Sequence, residues 1–159
     1  MRSGSTWQYN IVRLALELTG LDVYGCWIGD YDPDNKSEYH VIKIHSYDDE
    51  LRKKAWKIFT TIREFNGIEK SLKRMDWYKG KTPIKQAFSV WCRWAINANH
   101  ITHYRDIFRT NSHIEVLEIM RQLKVDYPSD LLMSELEKLK LPKKGSYDKV
   151  TLLHPNHYA

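Results

Sequence analysis

Between residues 6 and 19 the apolar side chains Ile11, Leu14, Ala15 and Leu18 recur at the three- and four-residue spacing of one helical face. Ser5 or Thr6 can cap the start of that helix, and Gly20 can end it. The same period predicts helices over 66–76, 83–98, 112–123 and 129–140. Ile114, Leu117 and Met120 share a face in the third of these, and Leu132, Leu136 and Leu139 in the fourth. Pro83 and Ser129 stand where helix starts are favoured. Asp48 to Ala55 reads as a short helix feeding W-K-I-F-T-T-I (56–62), whose β-branched and aromatic residues predict a strand. H-V-I-K-I (40–44) is a second strand candidate and V-Y-G-C-W-I (23–28) a weaker third. The stretches 30–38 and 141–148 are polar and turn-rich. Strands alternating with helices predict an α/β fold with parallel strands, in a single domain over 1–159.

Composition changes that picture only slightly. A formal charge of +5 suits anionic ligands, and suits a nucleotide as well as a nucleic acid. Six Trp and ten Tyr supply flat rings for a core, a base or a sugar. Cys26 and Cys92 lack C-x-x-C spacing and read as buried thiols of a reducing compartment. With no apolar run near the ~18 residues of a membrane span and no apolar leader in M-R-S-G-S-T-W-Q-Y-N, the expected location is cytoplasmic.

Three constellations can carry chemistry. R-S-G-S-T-W (2–7) is a small, Gly-containing segment opening a helix, where backbone N–H groups and the helix dipole favour an anion. Ser3, Ser5 and Thr6 add hydroxyls, Arg2 a charged fork, and Trp7 a flat face. It is not a Walker A loop, because G-x-x-x-x-G-K-[ST] is absent. K-I-H (43–45) ends the second strand, so Lys43 and His45, at i and i+2, are expected on one side of its carboxyl end. A histidine there is a natural base for a hydroxyl proton. Arg63 closes the strand that includes W-K-I-F-T-T-I, with Ser71 eight residues on, inside the next helix, a pair able to grip one phosphate. His154 and His157 lack a partner at ligand spacing and read as packing, as do His100 and His103. A Gly-rich anion loop ordinarily follows a buried strand, so either the start of the chain is missing or another segment is expected to fill that place.

In this order the three motifs resemble those of the PAPS-dependent sulfotransferases, of bacterial or cyanobacterial type. R-S-G-S-T-W is similar to the family's 5'-phosphosulfate loop, K-I-H to its K-x-H strand, and Arg63 with Ser71 to the R-x7-S signature. H-Y-R-D-I (103–107) followed by L-K-V (123–125) resembles the family's Y-E-D-L … F-L-G region. The tail Y-D-K-V-T-L-L-H-P-N-H resembles that of bacterial members. The family's first strand and its late R-K-G loop lack a clear counterpart, K-K-G (143–145) being a poor stand-in.

The resemblance implies a three-layer P-loop-like fold with a small, mostly parallel sheet flanked by helices. It implies PAPS (3'-phosphoadenosine 5'-phosphosulfate) as co-substrate, PAP as product, and no metal. Arg2 would act on the transferring sulfonate, Ser3, Gly4, Ser5 and Thr6 would cradle the phosphosulfate, and Trp7 would lie against adenine. Lys43 would neutralise charge at the reacting centre, His45 would be the general base, and Arg63 and Ser71 would hold the 3'-phosphate. The expected partner is a small-molecule or carbohydrate acceptor, with residues 76–104 as part of its pocket. Neither nucleic acid nor a membrane span is expected, and a homo-oligomer stays open. The alternatives are a PAP/PAPS-binding module without turnover and, behind it, a P-loop nucleotide kinase or a basic nucleic-acid binder.

Overall fold

The structure, a computed structural model, describes residues 4–108, 112–143 and 147–155. It is a mixed α/β architecture in which two small parallel two-stranded sheets pack against helices. Contacts group the chain into two compact units: Thr6–Ile44 with His113–Ala159, and Met1–Ser5 with His45–Ser112.

The first of these units is organised around α1 (Ser5–Glu17). Ile11, Leu14 and Ala15 of its expected apolar face are buried, as is the rest of the helix from Gln8 to Leu16, whereas Leu18 falls just past the helix and is half-buried. The polar residues tolerate this because they are bonded. Asn10 Nδ2 donates to the carbonyls of Thr6 (2.9 Å) and Thr151 (2.8 Å), and the Tyr9 hydroxyl donates to the Val150 carbonyl at 2.8 Å. Asp148 shapes the segment that presents those carbonyls, accepting from the backbone N–H groups of Val150 (3.0 Å) and Thr151 (2.6 Å). Leu152 and Leu153 are buried beside it.

Strands β1 (Val23–Trp27) and β2 (Tyr39–Lys43) pair in parallel, from Val23 opposite Tyr39 to Trp27 opposite Lys43. Gly25 sets how closely α1 approaches β1: a Cβ there would lie 2.5 Å from Tyr9 Oη and 2.7 Å from Arg13 Cδ. Helices α6 (Ser112–Leu123) and α7 (Ser129–Glu137) complete the core with Val116, Ile119, Met120, Leu123, Leu132 and Leu136.

The second unit holds α2 (Asp49–Lys54), β3 (Phe59–Ile62), α3 (Phe65–Arg74), α4 (Lys81–Ala95), β4 (His100–His103) and α5 (Tyr104–Phe108). Asp48 caps α2 by accepting from Leu51 N at 2.9 Å. Parallel pairing runs from Phe59 opposite His100 to Ile62 opposite His103. Asn99 starts that register: its side chain accepts from Ile58 N, and its backbone N donates to Ile58 O, both at 2.8 Å. The buried residues are Thr60, Thr61 and Thr102 from the sheet, with Ile68, Ser71, Ile84 and Ile107 from the helices.

Three expectations change. The one sheet read from the sequence is two. The H-I-T-H segment, to which the sequence assigned no element, is strand β4. The strand expected over 56–62 begins only at Phe59, leaving Trp56 55% exposed ahead of it. No helix among the described residues is long and apolar enough to cross a membrane.

Candidate functional site

Arg2 and Ser3, expected in the anion loop, lie outside the described residues, as does His157. Gly4 has φ of 88°, a left-handed conformation that glycine adopts freely. A Cβ there would collide with Ile107 Cδ1 and sit 3.5 Å from Tyr104 Cδ2, so the chain at Gly4 lies directly against α5. Ser5, Thr6 and Trp7 form the first turn of α1 and are half-buried. A helix start therefore does open within R-S-G-S-T-W.

Lys43 ends β2 and is half-buried. Its Nζ donates to Thr6 Oγ1, joining two motifs that are 37 positions apart. Burial pushes the ammonium down from 10.5 to about 8, because desolvation disfavours the charged form. The amine thus stays mostly protonated at neutral pH, and an anion beside it would push the value back up.

His45 departs from its expected placement. The strand ends at Lys43, and His45 sits exposed in the bend beyond, so strand alternation no longer aligns it with Lys43. The residues that follow it are fixed to α4. Trp94 Nε1 donates to the Ser46 carbonyl at 3.0 Å, the Tyr47 and Trp94 rings lie 5.0 Å apart, and the Arg93 guanidinium sits 3.7 Å from the Tyr47 ring centroid.

Arg63 immediately follows β3. Continuing the register past Ile62 and His103 sets Arg63 beside Tyr104, and its guanidinium carbon lies 3.8 Å from that ring's centroid. The same side chain reaches along α3: a Cβ on Gly67 would fall 2.8 Å from Arg63 Nε. Ser71 is one turn past Gly67, at the four-residue spacing that shares a helix face, and is buried. Arg63, Gly67 and Ser71 therefore mark a line along α3, with the arginine held at its head.

Sequence reasoning missed Gly67 and Tyr104 as parts of this arrangement. Tyr104 lay within H-Y-R-D-I without a role, and only the strand register reveals it as the platform for Arg63. Gly67 carries no side chain to attract notice. Its signal was position, since a glycine four residues after Arg63 and four before Ser71 leaves one face of a helix open.

Among the described residues, no group of three His, Cys, Asp or Glu is placed to hold a metal ion. Cys26 and Cys92 are free thiols, the former buried. No protein-family model, curated protein or solved structure matches this chain.

Proposed function

We propose that the chain is a sulfotransferase of the PAPS-dependent type, moving the sulfuryl group to an acceptor hydroxyl or amine. The observation that carries the reading is that Thr6 of R-S-G-S-T-W accepts a hydrogen bond from Lys43 of K-I-H. Within the other unit, Arg63 of the R-x7-S pair rests on the Tyr104 ring. The finer fold reading, a three-layer P-loop-like domain, rests on the motif resemblance.

In the proposed reaction the acceptor oxygen or nitrogen attacks sulfur in line with the bridging oxygen of the 5'-phosphosulfate. The bond between sulfur and that oxygen breaks, PAP leaves with the electron pair, and His45 takes the acceptor's proton. Lys43 and Arg2 neutralise charge on the sulfonate and the bridging oxygen, as cations do in phosphoryl transfer. Arg63 and Ser71 grip the 3'-phosphate that separates PAPS from adenosine 5'-phosphosulfate. Positioning and charge supply most of the rate.

Incubation with radiolabelled PAPS and a panel of phenols, sugars and amines tests the reading. Transfer to an acceptor by the native chain, lost in His45→Ala with PAP affinity retained, is the expected result. PAP binding with no transfer to any acceptor would point to a binding module instead.

A further inference from the structure

The carboxyl end of β3 opens on a cleft of about 300 Å³ between that strand, α3 and α4. Its apolar lining is Ile62, Phe65, Ile68, Ile84, Phe88 and Trp91, joined by Thr61, Arg63 and Glu64 at the strand end. Ile68 and Ile84 are buried, each only 4% exposed. Phe88, four residues along α4 from Ile84, is 49% exposed. Its ring stacks on Trp91 with centroids 5.4 Å apart and planes only 20° from parallel. Two flat rings therefore form one side of an apolar cleft, and half of the Phe88 surface stays in water.

We propose that this cleft binds a small, flat aryl molecule. The volume lies at the lower limit of small-molecule sites, which run from about 300 to 1,000 Å³. That favours a ligand of one or two fused rings over a lipid chain or a polymer. The lining argues against a carbohydrate: sugar hydroxyls entering it would give up water for a wall with few polar partners, a costly exchange. A planar ring instead gains area against Ile68 and Ile84 and an offset-stacking partner in the Phe88–Trp91 pair. The polar groups stand together at the strand end, where a ring substituent can stay solvated.

The cleft is also tied to the segment after β2. Trp94, one turn beyond Trp91 on α4, holds the carbonyl of Ser46, the residue after His45. One helix thus supplies the wall of the cleft and fixes the segment next to the proposed base.

Equilibrium dialysis with 2-naphthol tests the site, with PAP binding measured in parallel on the same chain. The expected result is saturable binding at one site, weakened about tenfold or more in Phe88→Ala, whose exposed position spares the fold. Ile84→Phe, which fills the cleft, should also block it, and the saturated analogue 2-decalol should bind far more weakly. PAP affinity should be unchanged in Phe88→Ala. Absence of saturable binding by the native chain, or binding indifferent to both substitutions, would overturn the proposal. Naphthol binding without PAP binding would sink the donor reading and leave the cleft standing. PAP binding without naphthol binding would do the reverse.

Discussion

The guanidinium of Arg63 lies 3.8 Å from the centroid of the Tyr104 ring, a contact that follows from the parallel register of β3 and β4. Each residue is the first after its strand, so the pairing of Ile62 with His103 carries one step further, to Arg63 and Tyr104. An arginine stacked in this way is pre-organised, which reduces the entropy lost when it grips an anion.

Gly67→Ala separates that role from stability. The added methyl would approach Arg63 Nε to 2.8 Å, and the long arginine must swing away. Alanine is favoured over glycine in a helix interior by about 1 kcal/mol, so thermal stability should hold or rise. PAP affinity should nevertheless fall about tenfold, toward that of Arg63→Ala. Calorimetric titration beside a thermal melt reads both quantities, and unchanged PAP affinity would remove Arg63 from the 3'-phosphate role.

Lys43 gives the fold a pH dependence of definite sign. Its folded value of about 8 lies below the ordinary 10.5, so between those values the unfolded chain binds more protons than the folded one. Its contribution to the unfolding free energy therefore rises as pH climbs from about 8 to 10.5. Burial pushes the Tyr9 hydroxyl and the Cys26 thiol upward, and those groups act in the opposite sense above their ordinary 10.0 and 9.0. Urea unfolding at pH about 7.5 and about 10 should show a more positive change in unfolding free energy in the native chain than in Lys43→Met. An equal change in both would assign the effect to another group.

Gly25→Ala should cost about 1–3 kcal/mol by overpacking, because the Tyr9 hydroxyl it meets is held by the Val150 carbonyl. Adding Tyr9→Phe removes the obstructing oxygen and should recover part of that loss. Urea unfolding of the single and double variants measures this coupling. Strict additivity would mean that α1 shifts bodily over β1.

The helices were legible because their apolar residues keep a period, and Ser112–Leu123 matches the segment that period marks out; the face read there does not hold, since Ile114 and Leu117 are exposed while Val116, Ile119, Met120 and Leu123 are buried. Strand β4 was not, since H-I-T-H is four residues long with a single aliphatic side chain. Its partner β3 and the Asn99 clamp decide its conformation. The all-round burial of α1 depends on carbonyls at 150 and 151, supplied by the far end of the sequence, so a local pattern could show only one face. At the candidate site, Lys43 and Arg63 could be read from motif order. The exposure of His45 could not, because alternation fails where a strand stops. Gly67 and Tyr104 emerge only from register and close approach.

Sulfuryl transfer from PAPS requires recognition of a 3'-phosphorylated adenosine nucleotide, and calorimetric comparison of PAP with 5'-AMP measures that recognition. The native chain should bind PAP at least about tenfold more tightly, from the proposed charge-assisted bonds of Arg63, and Arg63→Ala should erase the difference. Equal affinity for the two nucleotides in the native chain, or a preference for PAP that survives Arg63→Ala, would contradict it.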